Sequence, residues 1–116
     1  MRLTFILFYR AALMAALVMV AWQSLLPANG LQGIPHMDKV VHFLIYGLLC
    51  FLAVKAQLSK RYLWPFLGVI SFGLLIEVLQ GAMGWGRTAS FWDMLANTLG
   101  AAVMLGLLKL FDEVRS

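Results

Sequence analysis

Four apolar stretches, at approximately Phe8–Leu26, Lys39–Gln57, Leu63–Ala82 and Phe91–Lys109, take up most of this 116-residue chain. Each is about 19 or 20 residues long, the length a helix needs to cross the roughly 30 Å hydrocarbon layer of a bilayer. Pro27-Ala28-Asn29-Gly30, Gly33-Ile34-Pro35, Ser59-Lys60-Arg61 and the glycine-bearing segment from Gly81 to Ser90 separate them with turn chemistry or charge. Charged residues make up 12% of the chain, against about a quarter in a soluble domain, so a water-facing coat cannot be assembled. A 63% hydrophobic content excludes intrinsic disorder. The expected fold is all-α: a four-transmembrane-helix bundle forming a single membrane domain over residues 1–116, with loops too short to hold a soluble catalytic domain.

The placement of Lys and Arg predicts the orientation. With the N-terminus inside, Arg2, Arg10, Lys55, Lys60, Arg61, Lys109 and Arg115 lie on the cytoplasmic side, and only Lys39 and Arg87 lie on the other. That asymmetry follows the positive-inside rule and makes both termini cytoplasmic. Trp22, Trp85 and Trp92 fall at the outer interface, and Tyr9, Tyr62 and Trp64 at the inner one, as aromatic belts do. Pro65 sits in the first turn of the third span, where its missing N–H costs little. The net charge of +4 therefore reports topology, and the scattered basic residues form no nucleic-acid surface. Cys50, the single cysteine, lies in an apolar run and reads as a buried thiol. Arg2 and Arg10 ahead of an apolar run resemble a signal peptide, but bulky Gln23-Ser24-Leu25-Leu26-Pro27 offers no small-x-small cleavage site, and an uncleaved first span is expected.

The charge-free cores Val40–Val54, Tyr62–Ile76 and Met94–Leu108 are each about 22 Å long at helical rise, less than the hydrocarbon thickness. Their polar flanks must therefore enter the membrane boundary. On the outer side those flanks are short or rigid and cannot snorkel far. Asp38, His42 and Tyr46 form one stripe at a spacing of four; Glu77 and Gln80 share a face, as do Asp93 and Asn97. Counted from the span ends, Tyr46, Glu77 and Asn97 make a deeper tier, and His42, Gln80 and Asp93 a shallower one beneath Arg87. An ionised Glu77 facing lipid costs at least about 2.5 kcal/mol near mid-membrane and somewhat less at this depth, so turning inward toward His42, Arg87 or Asn97 is cheaper. Gly73, Ala96, Gly100, Ala102 and Gly106 supply smooth surface for close helix packing. An outward-facing polar pocket is the expectation. The second and fourth helices begin at this mouth, and their N-terminal N–H groups, with Lys39 and Arg87, favour a phosphate or carboxylate. The three nearby carboxylates favour a cation or proton instead.

Each of these residues also has a structural reading. Ser90-Phe91-Trp92-Asp93 fits a capping box, and Asp38 fits an N-cap. Gln80 and Asn97 serve equally as interhelical glue, worth about 0.6 kcal/mol on average. Tyr46 serves as an interfacial anchor, His42 as a hydrogen-bonded histidine and Arg87 as a partner for Asp93. Glu77 is the hardest to assign to structure alone. No nucleophile elbow, HExxH, P-loop or CxxC is present, and no cofactor is implied. His42 and Glu77 are the candidate acid/base couple. His42, Glu77 and Asp93 are metal-ligating residue types without a diagnostic spacing, so no metal is assigned.

Three segments carry a family resemblance: Asp38-Lys39-Val40-Val41-His42-Phe43-Leu44-Ile45-Tyr46, Glu77-Val78-Leu79-Gln80, and Arg87 through Gly100 with Ser90-Phe91-Trp92-Asp93 and Asn97 inside it. In this order they resemble the VanZ-like family of small bacterial membrane proteins, over about the last two-thirds of the chain. The resemblance implies a multi-pass protein of the bacterial plasma membrane. It brings Asp38, His42, Tyr46, Glu77, Gln80, Arg87, Asp93 and Asn97 forward as site residues. The family takes its name from a member associated with low-level resistance to teicoplanin, a glycopeptide that targets cell-wall precursors. Membrane lipids and a lipid-linked cell-wall precursor are the expected partners, with nucleic acid excluded. A lipid-phosphate enzyme and a structural accessory subunit are the alternatives.

Overall fold

A computed structural model of the protein describes residues 2–25, 37–57, 61–83 and 91–115. The described residues form four helices and no strand: α1 (Arg2–Leu25), α2 (Met37–Lys55), α3 (Leu63–Met83) and α4 (Phe91–Arg115). Three of them, over Leu3–Leu25, Leu63–Ala82 and Phe91–Asp112, are long and apolar enough to cross a membrane. α2 has 19 residues and carries Asp38, Lys39 and His42 in its first two turns.

Side-chain contacts fix the helix directions. The Arg10 Nε–H donates to the Ala56 carbonyl oxygen at 2.8 Å, placing the early part of α1 beside the end of α2. At the other end of α1, Gln80 of α3 donates to the Ser24 carbonyl oxygen at 2.7 Å. The Tyr62 hydroxyl, just before α3, donates to the Asp112 carboxylate near the end of α4. Successive helices therefore run in opposite directions, and the start of α1 and the end of α4 share one end of the bundle. α2 and α3 each pack against the other three helices, whereas α1 and α4 do not meet among the described residues. α2 and α3 therefore lie between α1 and α4. Lengths along the chain differ from the sequence expectation: α1 starts about a turn and a half before Phe8, and α4 runs past Lys109. Charge ends the apolar run but not the helix, because arginine and lysine are good helix formers.

The core is built around α2. Tyr46, Leu49, Cys50, Val69 and Ala101 are buried, with Leu13, Leu17, Val20, Phe72 and Leu105 packed against them. The outside is apolar on every helix: Phe8, Val18, Leu44, Leu48, Leu74, Val78, Leu99 and Val103 are exposed. Such a surface suits hydrocarbon, since a soluble monomer rarely shows apolar patches of this extent. Cys50 is a buried free thiol, as its apolar setting implied.

α2 and α4 make the closest approach. A Cβ built on Gly100 would lie 2.1 Å from the Phe43 carbonyl oxygen, and one on Gly47 would lie 3.3 Å from the Gly100 carbonyl oxygen. Two glycines thus let the backbones touch, as small residues do in helix pairs within membranes. Ala96 shares in this burial, but Ala102 is exposed and Gly106 has nothing within 4 Å of its Cβ position. The smooth surface expected along α4 is used only on the side facing α2.

Candidate functional site

The site lies where α2 and α4 begin and α1 and α3 end. Helical periodicity explains its layout. His42 and Tyr46 on α2, Glu77 and Gly73 on α3, and Asp93 and Asn97 on α4 are pairs four residues apart, so each pair stacks along one helix face. Each helix gives one residue to an upper tier and one to a floor a turn deeper.

In the upper tier, His42, Glu77 and Asp93 each offer a ligating atom within 4.8 Å of the others. Asp93 Oδ1 is 3.1 Å from Lys39 Nζ and 3.8 Å from His42 Nδ1, so its carboxylate joins α4 to two turns of α2. In the floor, a Cβ on Gly73 would meet the Tyr46 ring at 2.9 Å and Asn97 Nδ2 at 3.1 Å. The absent side chain at position 73 is what lets the tyrosine and the amide approach α3. Asn97 is 1% exposed; its Nδ2 points to Met94 Sδ at 3.9 Å, and its Oδ1 has no hydrogen-bond partner among the described residues. Thr98, beside it, returns its hydroxyl to the Met94 carbonyl oxygen at 2.8 Å.

Exposure falls from Lys39 to Glu77. The side chains of Lys39, His42 and Asp93 are 37%, 21% and 14% exposed, whereas Glu77 is 3% exposed. One turn deeper, Tyr46 and Asn97 are buried. Burying a carboxylate such as Glu77 is costly unless cations or hydrogen-bond donors compensate it. His42 and Lys39 bring such groups to the same end.

Of the residues singled out from sequence, His42, Tyr46, Glu77, Asp93 and Asn97 converge here. Gln80 is buried at the same end, but its amide turns to α1 and binds the Ser24 carbonyl oxygen. Glu77, grouped with Tyr46 and Asn97 when depth is counted along the sequence, also reaches His42 and Asp93, which the offset between helices and the length of a glutamate allow. Asp38 falls inside the first turn of α2, past the N-cap position, and its side chain lies outside the described residues, as does Arg87. Ser90, the other half of the expected capping box, lies outside them too. Gly47 and the Ser24 carbonyl were missed from sequence: a glycine in an apolar run signals little, and a backbone acceptor leaves no residue-type signal.

No curated protein and no solved structure matches the chain. A family model described as VanZ/LLP1 does, over residues 2–112. That match takes in α1 to α3, α4 as far as Asp112 and every residue of the two tiers, and the chain belongs to the VanZ/LLP1 family.

Proposed function

We propose that this protein is a four-span module of the bacterial plasma membrane, with both termini cytoplasmic, that binds an anionic headgroup at the outer face. The headgroup belongs to an envelope phospholipid or a lipid-linked cell-wall precursor. The observation that carries this reading is the graded convergence of Lys39, His42, Asp93, Glu77 and Asn97, from three helices, at one end of a bundle whose flanks are apolar. Polar groups placed at membrane depth are expensive and are retained for a task. Lys39 and the starts of α2 and α4 supply positive potential at the mouth, and Arg87 follows α3 in the chain. The apolar flanks leave lipid free to bring its headgroup in laterally.

Mass spectrometry of lipids retained through detergent purification tests this. Lys39→Ala and Arg87→Ala are expected to lose anionic lipid while helix content stays unchanged. Equal retention by both variants and by wild type would refute it. The same reading covers teicoplanin: precursor binding would shift the glycopeptide susceptibility of a host expressing wild type and not of one expressing Lys39→Ala.

A catalytic reading has one observation in its favour: an imidazole and two carboxylates gathered within 4.8 Å, an arrangement suited to acid/base work on a lipid phosphate. Glu77→Gln should then abolish turnover of lipid-phosphate substrates without unfolding the protein. No turnover by wild type would remove this reading. If the polar residues act only as structural glue, Glu77→Gln and Asn97→Ala lower thermal stability and leave lipid retention untouched.

A further inference from the structure

We infer that His42, Glu77 and Asp93 bind a divalent transition-metal ion of the Zn2+ or Mn2+ class. Three observations converge on this. The three residues come from three different helices and share no sequence spacing, yet each places a ligating atom within 4.8 Å of the other two. A metal with bonds of about 2.0–2.2 Å holds its ligands roughly 3–4 Å apart, so the set needs to close by at most about 1–2 Å. One imidazole with two carboxylates suits borderline ions; calcium and magnesium prefer all-oxygen sets.

The second observation is independent of the triad. Asn97, 1% exposed, lies one turn below Asp93 on the same face of α4, and its amide packs where a side chain at Gly73 would stand, one turn below Glu77. Its Oδ1 has no hydrogen-bond partner among the described residues. A buried amide oxygen left without a donor is uncommon, and a cation in the tier above gives it one reason to be there. The third observation is charge. Two carboxylates of falling exposure, Asp93 and Glu77, share the end of the bundle with Lys39, whose ammonium lies 3.1 Å from Asp93. An ion among the three ligands would take that oxygen. The long, part-exposed Lys39 side chain would then be free to swing toward the mouth.

Three protein ligands leave a coordination position open toward the mouth, where a phosphate oxygen of the bound headgroup would complete the shell. This last step rests on the headgroup reading above; the cation site itself does not.

The test uses the full chain without a polyhistidine tag, purified in detergent and stripped with chelator. Titration with ZnCl2 and MnCl2, followed by calorimetry and by elemental analysis after desalting, is expected to give one equivalent per chain that excess Mg2+ does not displace. His42→Ala and Asp93→Asn should each weaken binding by more than about 10-fold with helix content retained. Lys39→Met should bind at least as tightly as wild type, since it removes a competing cation. His36→Ala, which removes the other histidine of the chain, should bind like wild type. No binding by folded wild type, or binding unchanged in both His42→Ala and Asp93→Asn, would overturn the inference. Lipid retention measured with and without metal separates the two readings. Lipid held without any metal binding would sink the cation site alone, and metal bound without anionic lipid would sink the headgroup reading alone.

Discussion

Gly100→Ala offers a sharp test of the packing that carries the site. The new Cβ would stand 2.1 Å from the Phe43 carbonyl oxygen, 2.8 Å from its carbon and 3.0 Å from its Cα, all of them backbone atoms that no rotamer change can move. Relief requires α2 and α4 to part by roughly 1 Å, and a gap of that size forfeits about a quarter to a half of the dispersion energy along the contact. Overpacking of this kind costs about 1–3 kcal/mol, offset by less than about 1 kcal/mol of improved helix propensity. Gly106→Ala is the matched control on the same helix. Nothing lies within 4 Å of its Cβ, so only the propensity gain remains. Cys50, single in the sequence and buried in the core, supplies the assay: a thiol-reactive fluorophore lights up as the bundle opens on heating. For Gly100→Ala, a net cost of about 1–2 kcal/mol is expected to lower the midpoint by about 4–16 °C, if each kcal/mol moves it by about 4–8 °C as in small soluble domains. Gly106→Ala should leave it unchanged or raise it. Phe43 adjoins His42, so the same variant should also weaken ligand retention. Equal midpoints for the two variants would refute the close approach of α2 and α4.

Other outcomes follow from single contacts. Asn97→Leu replaces a buried amide whose oxygen has no donor among the described residues, so thermal stability should hold or rise while anionic-lipid retention falls; a drop of several degrees would make Asn97 structural. Gln80→Leu removes the tie to the Ser24 carbonyl and should cost about 0.6 kcal/mol, up to about 1.7, with retention unchanged, read by the same thermal assay. Tyr62→Phe loses a hydrogen bond to the Asp112 carboxylate at the opposite end. It should cost about 1.5–3 kcal/mol if that acceptor is charged, and it should leave lipid binding intact.

Much of this arrangement was legible in the sequence because charge is scarce. Each Lys, Arg or carboxylate ends or interrupts an apolar run, so four helices and their alternating directions follow from the punctuation and from the aromatic residues. The stacking of His42 over Tyr46 and of Asp93 over Asn97 was equally plain, since a spacing of four has one meaning on a helix. What stayed hidden depends on which side of an apolar helix faces inward. Gly106 and Gly100 look alike in the sequence, yet one faces outward and the other touches Phe43, because lipid and helix interior accept the same residues. Gln80 shares a helix face with Glu77 by spacing, but its acceptor, a backbone oxygen of α1, carries no residue-type signal. His42, Glu77 and Asp93 could be named as ligating types, whereas their meeting at 4.8 Å is a property of helix offset alone.

The proposed headgroup site requires the polar end of the bundle to open to the outside of the cell. In a Cys50→Ala background, Lys39→Cys and, separately, Lys55→Cys can be exposed in intact cells to a membrane-impermeant maleimide. Lys39→Cys, at a position 37% exposed beside Asp93, is expected to label without permeabilisation, and Lys55→Cys only after it. The reverse pattern would put the carboxylates and imidazole in the cytoplasmic leaflet and contradict the proposed site.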